Sequence, residues 1–557
     1  MNIRHCITLF LFFLVAAKSS DQHPKDYFRS PMDIGISLSG NFGDFRTNHF
    51  HSGIDIRTQG VIGKKIYASA EGFISRIRIS PYGYGNAIYI KHPNGYTSLY
   101  GHLNRFNEKL QGYIHAKQYE LELNTIDYYP EENEIKIEKG EVLGYGGNSG
   151  SSSGPHLHFE IRDSQTEQAL NPMLFGFDIK DNVKPEIYEL YIYPKNEWST
   201  INGKNEKQSF TAKLKNGVYQ SERSIRCNGK FGIGIYALDR FTNGKYKHTF
   251  YELTMIQDNK ETYHFKYDAL DFETLRDVNC HMDYEEKRTF RKKITKCFRA
   301  PESRLDFYTT NINDGIVEIS EGQQSSFEIR VNDIRGNTAR VQFDLLGESS
   351  SVREQKKEEF DKILKAQSEN ALFKEDISLY FPDKRLYEDQ KIVVYQSEET
   401  SVHISPNNIP LKDWYRLKWK LPVQYEKLSD KIIICKKRKS GSLKALMTNY
   451  EKGELSCKPK EFGQFVLRVD TLAPEIKLKN EFNLNKLVFK VHDNFDQITG
   501  YKASIDGKWL RIFYDAKKDE FVCRPQEIEL EKGLHNFYIE CADLQGNLEV
   551  FQTQFQN

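Results

Sequence analysis

The residue types that could do chemistry lie in three segments. NHFHSGIDI (48–56) holds His49, His51 and Asp55, TSLYGHLNRF (97–106) holds His102, and GPHLHFEI (154–161) holds His156 and His158. Two imidazoles and one carboxylate make the three protein ligands expected of a catalytic zinc, with a fourth position open to water. Structural zinc sites usually close with four ligands, often cysteines, and no cysteine lies between Cys6 and Cys227.

Positioning these groups requires particular elements. On a strand, residues i and i+2 share a face, so His156 and His158 project together while Leu157 and Phe159 turn towards a core. Gly53 sits between His51 and Asp55, which disfavours a helix and leaves a turn or strand entry to aim both side chains at one point. The small-residue loop GYGGNSGSSSGP (144–155) leaves the following strand accessible. From Met32 to about Phe175 the pattern is short strands broken by Gly, Asn and Pro, with an Asn94-Gly95 hairpin signal and no convincing amphipathic helix. The region reads as an antiparallel sheet or sandwich.

NHFHSGIDI, YGHL and GNSG…GPHLHFEIR, in this order, resemble the M23 peptidase family, the lysostaphin/LytM-type zinc endopeptidases that cut peptidoglycan peptides. The resemblance covers Phe42 to Pro172. It implies a Zn2+ ion held by His51, Asp55 and His158. It implies His156 as general base or stabilising partner of the metal's water, and His102 assisting at the same site, with the division of labour between the two left open. His49 falls outside the pattern. The implied substrate is a peptidoglycan peptide, a cross-link rich in D-alanine and a diamino acid. Relatives that lost ligands act as regulators of other hydrolases, so a non-catalytic LytM-like adaptor that binds wall or regulates an amidase is the alternative; the full set of residues favours an enzyme. One departure is the stretch at about 110–138, longer than the family's usual connection. It is expected to insert a hairpin or flap beside the cleft, with His115 on its surface.

The remainder of the chain frames this region. At 557 residues it exceeds what one core can serve. Aromatic content is 13%, with 32 Tyr and 36 Phe, which suits strand-rich structure. Formal net charge is +1, so neither nucleic acid nor an acidic membrane surface is implied as partner. Arg4 precedes an apolar run from Ile7 to Ala17 that is too short to span a bilayer; residues 1–19 read as a signal peptide. The mature chain is then exported to the periplasm or cell surface, with no membrane span after signal removal. Cys435/Cys457 and Cys523/Cys541 could each pair, and buried free thiols are an equal reading.

The expected fold class is all-β: an antiparallel LytM-like peptidase domain (32–178) followed by immunoglobulin-like sandwiches. These are a large one at 183–346, a β domain at 376–470 and a last one at 471–557, with a charged linker helix at 347–375 built on Phe360, Ile363 and Leu364. Two weak repeats support the sandwiches. VKPEI (from Val183) and LAPEI (from Leu472) each enter a strand through Pro-Glu-Ile. ALDRFTNG, VNDIRGN and CADLQGN each end a strand in Asp before a Gly/Asn turn. The tail resembles extensions of exported M23 proteins of Bacteroidetes. It offers a surface for a protein partner, and Trp414, Trp419 and Trp509 are read as core residues before glycan contacts.

Overall fold

The computed structural model describes residues 23–557 apart from 222–223, 243, 350–358 and 496–497. The expected signal peptide, residues 1–19, lies outside the described residues. The chain is all-β in character, with 47% strand and 9% helix. Pairing is antiparallel except where Val218–Ser221 and Ile225–Leu238 each run parallel to Thr338–Gly347, among the described residues.

The first sheet runs in the order Leu38–Gly40, Ile54–Arg57, His156–Asp163, Tyr96–Phe106, Asn86–Lys91, Gly72–Ile79, Ile126–Tyr128. Alternation drives it. Leu157, Phe159 and Ile161 turn to one side and pack with Ile54, Ile56, Ile88, Ile90, Tyr100 and Leu103 in a core closed to water. The histidines stand on the opposite side of the same strands.

The stretch at about 110–138 is not a hairpin or flap beside the cleft. It begins with a helix, Glu108–Leu121, capped by the Asn107 side chain accepting from the Leu110 N–H. Leu110, Ile114 and Gln118, spaced by four, are buried, so the apolar period is helical where a strand period was expected. The chain then adds Ile126–Tyr128 to the edge of the sheet far from the histidines. His115 is half-buried and bonds Gln111 within the helix.

The expected linker helix is also corrected. Residues 350–358 lie outside the described residues, and beyond them the chain is strand. Lys362–Leu364 pairs with Gln390–Glu398, and Asn370–Lys374 forms a hairpin with Ile377–Phe381 through Glu375, whose φ is 53°. Of the three apolar residues offered as a helix face, only Leu364 is buried, while Phe360 and Ile363 are 43% and 38% exposed. Within Lys362–Leu364, exposed Ile363 next to buried Leu364 is the alternation of an edge strand.

Beyond the first sheet, Gln208–Lys215, Ile225–Leu238, Gln324–Asn332 and Thr338–Gly347 belong to a second large strand network. It is fused to the first. Phe42, Phe45 and Phe50 pack in one core with Phe265, Tyr267 and Met282, and Ala169–Leu170 pairs with Ala269–Leu270. Next come a six-stranded and a five-stranded sheet facing each other across a core that contains Trp419 and Tyr415. Trp414 lies between the Arg385 and Lys458 cations. Two four-stranded sheets sharing a core end the chain. This last unit returns to the first: Trp509 meets Tyr119 of the helix edge-on at 5.1 Å, and Tyr119 donates to Glu527 at 3.0 Å.

Cys227, Cys280, Cys297, Cys435, Cys457, Cys523 and Cys541 are all buried free thiols. Cys435 and Cys457 point into different cores. Burial pushes the thiols of Cys227, Cys435 and Cys541 up to about 12, which withholds the reactive thiolate. A disulfide reagent should therefore leave all seven unmodified in the folded protein and modify all seven in urea. A mass two daltons low per pair in unreduced, denatured protein would show disulfides instead.

Candidate metal centre

Strand pairing does most of the assembly. Antiparallel pairing of Ile54–Arg57 with His156–Asp163 sets Asp55 directly opposite His158 and Arg57 opposite His156. On the other flank His158 faces Gly101 of Tyr96–Phe106, with His102 one residue on. His102 takes a left-handed φ of 59°, which turns its ring out of the strand's alternation. Two glycines allow the close approach. A Cβ on Gly53 would lie 2.4 Å from the Phe159 carbonyl oxygen, and one on Gly40 would lie 2.2 Å from Asp55 Oδ2.

His51 Nε2, His158 Nδ1 and Asp55 Oδ1 converge, with separations of 3.0, 3.0 and 3.1 Å. His156 Nε2 lies 3.4 Å from the same Asp55 oxygen. The His102 ring stands 4.8 Å from that of His156, edge to face. His49, by contrast, is exposed at the rim and bonded to the Thr47 carbonyl.

The far side of each ring is tied. His51 Nδ1 donates to the Asn41 carbonyl at 2.8 Å, His156 Nδ1 to the Gly154 carbonyl at 2.8 Å, and His102 Nδ1 to the Ser149 carbonyl at 2.9 Å. His158 Nε2 faces Glu160 Oε1 at 2.8 Å. These ties aim the inward nitrogens at one point, where each is a lone pair whenever its ring is neutral. The inward atoms lie ~3 Å apart around the Asp55 carboxylate, so the arrangement calls for positive charge at the centre, from a metal cation or, without one, from a proton on His158. An imidazole whose other nitrogen donates to a carbonyl or carboxylate is the usual setting of a metal ligand. His51, Asp55 and His158 therefore fit a metal with nitrogen and oxygen preference, zinc by that donor set.

Glu160 is the hub behind the ligands. Its carboxylate is wholly buried and takes His158, the Ser52 hydroxyl at 2.6 Å, the Tyr84 hydroxyl at 2.7 Å and Arg162 Nε at 2.7 Å. Burial alone would raise its pKa, but Arg162 and His158 hold it below the carboxylate range. Asp55 likewise stays well below its ordinary value despite burial, because His51 and the other histidines surround it; Arg46 binds its second oxygen at 2.7 Å. Burial pulls His158 down, and the bonds from Asp55 and Glu160 reverse this to about 9. Burial, then the neighbouring imidazoles, push His102 down to about 3.

The cluster opens into a groove of about 900 Å³ whose lining includes Arg46, Arg57 and Arg78. Its other wall comes from far along the chain, with Tyr246, Phe272 and Leu275 of the second strand network facing the histidines. Phe272 covers Arg162 at 4.2 Å, and Leu275 accepts the Phe50 N–H through its carbonyl. Asp44 links the same two regions: its side chain binds His248 Nδ1 at 3.0 Å and the Thr249 N–H at 2.7 Å, and its carbonyl accepts the His51 N–H.

Sequence reading had collected the five central residues but not Glu160 and Arg162, which continue the same i+2 series as His156 and His158. It also passed over Arg46 and Tyr84, which arrive from loops without a periodic signal.

Asp55 and the H-x-H pair thus stand on neighbouring antiparallel strands, with His51 just ahead of the first. Residues 49–172 match the model of peptidase family M23, and the chain carries a domain of that family. A second match, to the Zu5-like domain, covers residues 361–470. Over 127 residues the chain is 34% identical to the DD-carboxypeptidase/endopeptidase Mpg of Neisseria meningitidis, covering 23% of each chain. Over 150 residues it is 29% identical to the peptidoglycan DD-endopeptidase ShyA of Vibrio cholerae, covering 26% of this chain and 29% of that one. The alignments thus span about a quarter of these relatives' length. Among solved structures, the catalytic domain of the prophage-encoded M23 protein EnpA from Enterococcus faecalis aligns at 24% identity and a TM-score of 0.20, over 28% of this chain and 97% of its own.

Glu160→Gln keeps the shape of the hub but removes the charge that His158 Nε2 meets. Zinc affinity, read by competition with a chromophoric chelator, should fall about 10–100-fold. An unchanged affinity would mean that Glu160 serves packing alone.

Proposed function

We propose that this chain is an exported zinc endopeptidase that hydrolyses peptide cross-links of peptidoglycan, with His51, Asp55 and His158 as metal ligands. The observation that carries this reading is the inward convergence of all four imidazoles and Asp55, each ring nitrogen on the far side tied to an acceptor, at the floor of an open groove. Of the proteins similar over this region, ShyA is named a peptidoglycan DD-endopeptidase and Mpg a DD-carboxypeptidase/endopeptidase. Arg57 and Arg78 along the groove suit a substrate that carries a free carboxylate, as a peptide ending in D-alanine does.

Zinc, when bound, supplies Lewis acidity to a water and to the scissile carbonyl. The chain's own groups do the rest. His156 Nε2, beside the ligand cluster and held in its tautomer by the Gly154 carbonyl, takes the proton of the attacking water and returns it to the leaving amine. His102 is too weak a base for that part, because burial and neighbouring imidazoles keep it neutral. Its fixed ring orients the water or substrate by accepting a hydrogen bond. Asp55, bound also by Arg46, remains ionised throughout. Tyr246, Phe272 and Leu275 restrict water on the opposite wall.

His51→Ala should lose both bound zinc and cleavage in a digest of purified muropeptides. His156→Ala should keep most of the zinc and lose turnover by about 10²–10⁴-fold, the usual size of a general-base contribution. Bound zinc in the wild type with no change in muropeptides across several wall types would leave the adaptor reading in place. Loss of metal from His156→Ala would make His156 a ligand.

A further inference from the structure

The turn that ends a strand in Asp before Gly and Asn occurs at Asp333-Ile-Arg-Gly-Asn337, and it meets two other acidic residues. Asp181 sits in the segment that leaves the first sheet, four residues before Pro185, and Asp239 ends the strand Ile225–Leu238. One oxygen from each of Asp181, Asp239 and Asp333 lies within 4.8 Å of the others. Their exposures are 7%, 2% and 3%. Among the described residues, none of the three carboxylates makes an ion pair.

Acidic residues gathered at a surface need no explanation, but these are not at a surface and their bonding is incomplete. Asp333 spends its oxygens on its own turn, taking the Arg335 and Asn337 N–H groups on Oδ1 and Asn337 Nδ2 on Oδ2. Asp181 Oδ1 takes the Val183 N–H. That leaves Asp181 Oδ2 and Asp239 Oδ1, both shielded from solvent, with no hydrogen-bond donor. A buried carboxylate oxygen without a partner costs at least what a lost hydrogen bond costs, and here two of them adjoin a third carboxylate.

We propose that Asp181, Asp239 and Asp333 form a binding site for a calcium ion that fastens the segment leaving the peptidase sheet to the second strand network. All the donors are hard carboxylate oxygens, which excludes a zinc-type preference. The enclosure favours calcium over magnesium, because magnesium keeps several waters and calcium accepts an irregular set of protein oxygens. The ion would add to a clamp already visible: Arg335 donates to the Phe177 and Ile179 carbonyls, and Asn337 Nδ2 to the Asp181 carbonyl at 3.2 Å. Without a cation, burial and then Asp333 and Asp181 push the Asp239 carboxyl up to about 8.

The same construction recurs at the start of the last unit, which argues against accident. Asp470 stands four residues before Pro474, Asp493 follows the strand Leu487–His492, and Asp543-Leu-Gln-Gly-Asn547 forms the turn. Their oxygens again lie within 4.8 Å, and Asn547 Nδ2 reaches Asp543 Oδ2 at 2.7 Å and the Asp470 carbonyl at 3.1 Å. The corresponding Asn337 distance to Asp333 Oδ2 is 2.7 Å.

The test compares full-length wild type with Asp239→Asn and Asp181→Asn, each dialysed against EGTA and then equilibrated with radioactive Ca2+ at ~2 mM, near the affinity range of extracellular calcium modules. Each variant should bind one Ca2+ fewer per chain than wild type; the second cluster is present in all three proteins and cancels. Calcium should raise the melting temperature of the wild type more than that of either variant. In EGTA, Asp239→Asn should melt no lower than wild type, because without the ion the crowded carboxylates hold the Asp239 carboxyl towards its neutral form, which the amide resembles. Equal Ca2+ binding in all three proteins overturns the site. So does a wild type that binds no Ca2+, the result expected if the three carboxylates share a proton in place of an ion. Should Asp239→Asn fail to fold, Asp181→Asn, whose amide oxygen can still accept the Val183 N–H, gives the same reading.

Discussion

The antiparallel register that sets Asp55 against His158 is the constraint on which the rest depends. A slip of one residue would send either side chain through the sheet into the core, and no loop adjustment could recover the cluster. The register is secured from the other face, where Ile54, Ile56, Leu157, Phe159 and Ile161 fill a core closed to water. The apolar half of the alternation thus offsets the cost of gathering buried imidazoles and a carboxylate at one point. Gly53 and Gly40 belong to the same logic, since any side chain there would displace a backbone carbonyl or Asp55 itself.

Behind the ligands the structure concentrates charge where none would be stable alone. A fully buried carboxylate at Glu160 persists because Arg162, His158, Ser52 and Tyr84 all bind it. Removing one partner of such a network leaves an uncompensated buried charge, a loss of about 3–5 kcal/mol. That rigidity has a purpose at a metal site. A ring that cannot rotate keeps its lone pair on one point, and His102, His51 and His156 obtain the same restraint from backbone carbonyls.

How much of this was legible depends on whether the signal was local. H-x-H on a strand fixes two side chains by alternation, and the series extends to Glu160 and Arg162, so most of one wall was readable from the seven residues 156–162. His51 and Asp55 were readable as a pair but not their direction, which comes from pairing with a strand a hundred residues away. Asn107 and the spacing of Leu110 and Ile114 announced the helix Glu108–Leu121, and the surrounding strand pattern obscured it. Lys362–Leu364, read as part of a helix from the charged residues before it, is held as a strand by pairing with Gln390–Glu398. Tertiary pairing overrode local propensity there. Tyr246, Phe272 and Leu275 carried no signal that pointed to the groove, although FETLRDVNCHMDY, from Phe272, resembles the tails of exported M23 proteins.

Those three residues change what counts as the functional unit. A peptidase sheet ending near residue 178 would contain every side chain of the centre, yet Phe42, Phe45 and Phe50 bury themselves in the core of the next strand network. Asp44, whose carbonyl holds the His51 N–H, has its carboxylate bound by His248 and Thr249. Separated from that network, the sheet would expose a cluster of aromatic rings and a buried carboxylate that had lost its partners, both destabilising. The groove would lose one wall, the one that faces the histidines. The second strand network is therefore an outer layer of the candidate metal centre, and variation in the tail acts on the histidine cluster through packing.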